Sequence, residues 1–134
     1  MSAARQGDDP RAQGEPGTAR TEPALRSGVF HLADARARIP GPVGEHFSDV
    51  LRRGSLRLLV SHPLRPNEQT PHGQDELYFV VRGSGVLYHD GRRERFEAGD
   101  AMFVAAGIEH HFEHSSDDFE IWVVFYGPAG GEHE

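Results

Sequence analysis

Gln69-Thr70-Pro71-His72-Gly73-Gln74-Asp75-Glu76-Leu77-Tyr78-Phe79-Val80-Val81-Arg82-Gly83-Ser84-Gly85 is the stretch on which the reading of the chain turns. A polar, turn-rich start carries His72 and Glu76, and the apolar run Leu77 to Val81 follows at once, stopped by Gly83 and Gly85. Successive side chains of an extended segment point to opposite faces, so residues 72, 74, 76 and 78 share one side. An imidazole and a carboxylate then project together from the mouth of a strand. These donors suit Zn, Fe, Mn or Ni. Asp75 faces the other way and is the weaker carboxylate candidate.

Outward from this stretch the chain reads as short strands. Ser55 to His62 alternates, with Leu56, Leu58, Val60 and His62 on one face, read as the interior, and Arg57, Leu59 and Ser61 on the other. Gly85 to His89 and Arg93 to Phe96 are the arms of a hairpin around Asp90-Gly91, a strong tight-turn signal. Met102 to Val104, His110 to Glu113 and Phe119 to Tyr126 complete the set. Short strands separated by Gly and Pro turns imply a sandwich or barrel. Upstream, residues 31–38 suit a short helix or turn, Ile39-Pro40-Gly41-Pro42 forbids regular structure, and Phe47, Val50 and Leu51 mark an entry to the core.

A second stretch, Gly99-Asp100-Ala101-Met102-Phe103-Val104-Ala105-Ala106-Gly107-Ile108-Glu109-His110-His111-Phe112-Glu113-His114, pairs with the first. Together they resemble the two linked motifs of the cupin superfamily over roughly residues 50–126. The first family motif runs His-x-His, three or four residues, Glu, six residues, Gly; His72, Glu76 and Gly83 fit its second His, Glu and Gly. The second runs Gly, five residues, Pro-x-Gly, two residues, His, three residues, Asn; Gly99, Gly107 and His110 keep its spacing. Thr70 stands where the family has its first His, Ala105 replaces the Pro and His114 replaces the Asn.

The resemblance implies an all-β double-stranded β-helix, a jelly-roll cupin barrel, holding a divalent metal (Fe, Mn, Zn or Ni) on His72, Glu76 and His110. It also implies chemistry on a small organic molecule, of dioxygenase, isomerase, lyase or cyclase type. A non-catalytic small-molecule-binding module is the other reading. Two residues are catalytic candidates. Tyr78, two beyond Glu76, points into the barrel, where its hydroxyl orients a ligand or moves a proton; the bland alternative is a core aromatic with an ordinary partner. His62, on the face read as interior, is a candidate replacement for the lost ligand. His114 shares a face with His110 by alternation, whereas His111 faces outward. Thr70 fills space or bonds a metal-bound water, and Gln69 and Gln74 are polar residues at the mouth.

The whole chain bounds these expectations. At 134 residues it suits one domain, read as a disordered tail at 1–28, a barrel at 29–129 and a short tail at 130–134. Residues 1–28 have almost nothing apolar to offset their ordering entropy. A net charge of −7 argues against nucleic-acid or anionic-membrane binding. The absence of cysteine excludes disulfides, thiolate zinc sites and a Cys nucleophile, and fits the cytoplasm. No secretory signal or membrane-spanning stretch is expected. Two strands are apolar on both faces. Phe79, Val81, Ile121 and Val123 cannot share an interior with Tyr78, Val80, Trp122 and Val124, so one set needs another cover. The expectation is a homodimer.

Overall fold

The computed structural model describes residues 27–133. The expected leader lies outside the described residues but for its last two. A one-and-a-half-turn helix, α1 (Leu32–Ala37), precedes eight strands. They are β1 (Phe47–Arg53), β2 (Leu56–Ser61), β3 (Asp75–Arg82), β4 (Ser84–His89), β5 (Arg92–Glu97), β6 (Ala101–Val104), β7 (His110–Glu113) and β8 (Glu120–Tyr126).

Two antiparallel sheets face one another, one ordered β1-β2-β8-β3-β6 and the other β5-β4-β7. This is the jelly-roll barrel expected. The β4–β5 turn is as the Asp-Gly pair requires: Asp90 and Gly91 both take positive φ, 49° and 82°. Gly83 ends β3 at φ 93°, and a Cβ there would lie 2.7 Å from the Phe119 backbone, so only glycine fits.

The core lies between the sheets. Leu59, Tyr78, Val80, Met102, Val104, Ile121, Val123 and Phe125 of the larger sheet meet Leu87, Phe96 and Phe112 of the smaller. Each fully buried large side chain contributes about 1.5–3 kcal/mol relative to exposure. Aromatic edges knit the centre: Phe112 lies 5.1 Å from Tyr78, 5.1 Å from Phe119 and 5.7 Å from Phe96, all near-perpendicular.

Two expectations are corrected. First, residues 47–53 are a full strand paired with β2; a register shift between Asp49 and Leu51 breaks its alternation and conceals it in the sequence. Second, the interior face of β2 is Arg57, Leu59 and Ser61, not Leu56, Leu58, Val60 and His62. The register decides this: Leu59 pairs Val123 and Arg57 pairs Phe125, both core residues. Leu58 and Val60 lie on the outer face, where α1 packs across β1 and β2 and Val60 is fully buried. Apolar character there marks a covered outer face rather than the interior.

The register also regroups the two apolar strands. Tyr78 pairs Val123 and Val80 pairs Ile121 on the inside, while Phe79 pairs Trp122 and Leu77 pairs Val124 on the outside. Beyond α1 this outer face is open: Phe79 is 43% and Phe103 50% exposed.

Candidate metal centre

Strand β3 begins at Asp75, so alternation turns Glu76 and Tyr78 inward. His72 sits just before it, on a loop tied to the next ligand-bearing segment by a Gly107 N–H donated to the His72 carbonyl at 2.8 Å. His110 opens β7 on the opposite sheet. Glu76 and His110 are almost wholly buried, and His72 is 5% exposed.

The three side chains converge. One ligand atom from each lies within 4.8 Å of the other two. Glu76 Oε1 is 3.2 Å from His72 Nε2 and 3.5 Å from His110 Nε2, without hydrogen-bond geometry. His110 Nδ1 lies 2.9 Å from the Ile108 carbonyl. A carbonyl only accepts, so Nδ1 carries the proton and the Nε2 lone pair faces the cluster. Both Glu76 oxygens, both ring nitrogens of His72 and His110 Nε2 are buried without a hydrogen-bond partner. Unpartnered buried polar atoms are costly, and a divalent cation gives each of the three side chains a partner at once. The donor set fits such an ion.

Electrostatics agree. Burial pushes the Glu76 carboxyl up, but His110, His72 and the Tyr78 hydroxyl outweigh it, holding the group below its ordinary value and ionised. Tyr78 is fully buried, its hydroxyl also unpartnered, its ring 6.5 Å from His110. Burial, then the Glu76 charge, pushes its pKa well above the usual 10, so it is a neutral phenol. Phe125 walls the site, 5.2 Å from the His72 ring.

The other sequence candidates fall elsewhere. His62 is on the outer face, its Nε2 2.7 Å from Glu120 Oε2. Glu120 is five residues along β8 from the partner of Glu76, about 17 Å at strand rise. The expectation that His62 lies in the interior and replaces the lost ligand is therefore corrected; the wrong face of β2 was the cause. Thr70 is exposed. Gln74 is a stitch between the carbonyls of Ser55 and Gly127, both at 2.9 Å, and Gln69 donates to Asn67. His114 takes φ 54° and is exposed, so the chain turns before alternation brings it inward. His111 faces outward as expected, stacked on Tyr88 at 4.7 Å.

Two interior or near-site groups have roles that the sequence reading did not assign. Arg57 is buried on the same rung as Phe125 and Glu76, with its Nε 2.7 Å from Asp49 and its cation over the Phe47 and Phe125 rings. Its alternation with Leu59 was the available signal. Asp75, on the other side of the strand, is buried against two backbone N–H groups, those of Glu132 and Ala106, which hold it below the usual carboxylate range.

The chain matches known proteins along this frame. The cupin domain model (Cupin_2) matches residues 62–133. An uncharacterized protein of Streptomyces coelicolor is 39% identical over 101 residues, covering 75% of this chain and 96% of its own. An oxalate-binding protein of Thermotoga maritima is 32% identical over 53 residues, 39% of this chain and 44% of its own. Among solved structures, FeII HppE superposes with a TM-score of 0.57 at 18% identity, over 81% of this chain and 65% of that one. The last likeness is one of fold. With the family model covering more than half the chain and both motifs seated in the barrel that they imply, the protein belongs to the cupin domain family.

Proposed function

We propose that the protein is a divalent-metal-dependent cupin enzyme acting on a small organic molecule in the barrel interior, with His72, Glu76 and His110 as the metal ligands. The observation that carries this reading is the convergence of three buried side chains, each offering one ligand atom within 4.8 Å of the other two and none of these hydrogen-bonded, with the His110 tautomer set by Ile108. When bound, an Fe, Mn, Zn or Ni ion supplies Lewis acidity or, for iron, dioxygen chemistry of the dioxygenase kind. The chain's own residues do the rest. Phe125, Phe112 and Tyr78 exclude bulk water, which strengthens every polar interaction inside. Tyr78 keeps its proton and offers it to a substrate oxygen beside Glu76, making it the catalytic candidate.

Metal analysis of the purified protein tests this directly. The parent should hold close to one divalent ion per chain, and His72→Ala or His110→Ala should remove most of it. Turnover of carbonyl, phenolic and enolisable substrates with Fe(II), Mn(II), Ni(II) or Zn(II) then identifies the reaction class among isomerase, lyase, cyclase and dioxygenase types. The partial likeness to an oxalate-binding protein supports the second reading, a module that binds a small molecule without turnover. Saturable binding of a small carboxylate with no product formed would favour it.

The same reading includes a homodimer. Phe79 and Phe103 are half-exposed beside Leu77, Trp122 and Val124, an apolar cluster of the kind that marks interaction sites.

A further inference from the structure

Three chain segments meet at the Asp75 carboxylate. Oδ1 accepts the Ala106 N–H at 2.9 Å, and Oδ2 accepts the Glu132 N–H at 2.9 Å. Alongside, the Gly107 N–H donates to the His72 carbonyl at 2.8 Å, and the Gly130 N–H donates to the Gly73 carbonyl at 2.7 Å. Asp75 therefore sits where the strand bearing Glu76, the turn preceding His110 and the C-terminal residues 130–132 close on one another. Asp75 is 5% exposed and Gly131 is buried.

The turn leads to the third ligand by a short relay. Ala106 is held by Asp75, the turn is closed by the Ile108 N–H donated to the Ala105 carbonyl at 3.2 Å, and the Ile108 carbonyl accepts the His110 Nδ1 proton at 2.9 Å. The orientation of the His110 ring thus traces back, through one turn, to a carboxylate on the far side of β3. Gly131 fits this clasp closely: at φ 90°, a Cβ there would lie 2.8 Å from Asp75 Oδ1 and 3.2 Å from the Ala106 Cβ.

We propose that Asp75 is a positioning residue of the metal centre, clasping the residue 105–108 turn and the C-terminal segment so that His110 meets His72 and Glu76. The inference rests on the metal-binding reading above. Groups that orient metal ligands from behind typically contribute about 10–100-fold in affinity. Asp75 acts through a turn, so a loss of about 10-fold is expected, at the lower end of that range.

The test is a Co(II) titration of the full chain, followed by the visible absorption spectrum of the complex. It compares the parent with Asp75→Asn, Gly131→Ala, His110→Ala and Arg36→Ala. Arg36→Ala loosens α1 on the far face and reports loss of stability alone. Asp75→Asn should bind Co(II) about 10-fold more weakly with a shifted ligand-field band. Gly131→Ala should show a smaller loss in the same direction. Arg36→Ala should melt lower yet keep the parent's affinity and band. Should Asp75→Asn match the parent in both affinity and band, the positioning role is wrong while the metal centre stands. The same holds if Arg36→Ala weakens binding equally. A parent that binds no Co(II), or a His110→Ala variant that binds it as the parent does, removes the metal centre and this inference with it.

Discussion

Glu120→Gln isolates the cluster that anchors α1 and accounts for His62. The Glu120 side chain is fully buried, with Arg36 at 2.8 and 2.6 Å, His62 at 2.7 Å and Arg82 at 3.4 Å. Burial pushes its carboxyl up, but Arg36, His62 and Arg82 prevail and hold it at about 2, against an ordinary 4.5. Each pKa unit is worth about 1.4 kcal/mol, so about 3 kcal/mol of stability is tied to this ionisation. Arg36 is 38% exposed, and solvent screens part of that. Glu120→Gln should therefore cost about 2 kcal/mol at pH 7, a fall in melting temperature of roughly 5–10 °C for a chain of this size. The sign with pH follows from a depressed carboxyl. The contribution is complete above about pH 4.5 and is lost as pH falls toward 2. Urea unfolding of parent and variant at pH 7, 5.5 and 3 measures it. The gap should be present at pH 7 and 5.5 and shrink at pH 3. A gap that persists undiminished at pH 3, or no gap at pH 7, refutes the assignment of this stability to the Glu120 charge.

Tyr78→Phe removes a buried hydroxyl without a partner, so metal-free stability should change by less than about 1 kcal/mol while turnover falls by about 10²-fold or more; equal turnover would leave Tyr78 a core aromatic. Excess Mn(II) should raise the parent's stability by about 2.7 kcal/mol at 100 times Kd and leave His110→Ala unmoved, as read by melting with and without EDTA. Thr70 is exposed, so Thr70→Ala should leave metal affinity within about twofold, since a solvated hydroxyl contributes little there. Phe79→Asp or Phe103→Asp should yield a monomer in sedimentation while retaining the parent's metal content.

The strands and the triad were legible because they rest on local rules. The apolar run Leu77 to Val81, the Asp90-Gly91 turn and the spacings from His72 to Glu76 and from Gly107 to His110 each impose their geometry over a few residues. What escaped depends on the whole molecule. The face of β2 was misread because Leu58 and Val60 lie on the outer face, across which a helix packs, a fact of assembly and not of alternation. His62 went with them. β1 was hidden by its register shift, and His114 by one residue's turn to positive φ. The facing of Asp75 was legible by alternation, but its clasping role was not, because its partners are backbone N–H groups 31 and 57 residues away.

Trp122 is the protein's one tryptophan, seated on the outer sheet face between Val60 and Phe79. An indole there is partly exposed in the single chain and would leave water if an apolar surface closed over Phe79. The chain would thus carry its own fluorophore for the proposed dimer. Its emission should move to shorter wavelength as concentration rises, and Phe79→Asp should abolish that movement. Because the ring lies across the sheet from His72, Glu76 and His110, diamagnetic Zn(II) should leave the spectrum nearly unchanged. One label-free measurement can therefore separate changes in association from changes in the interior.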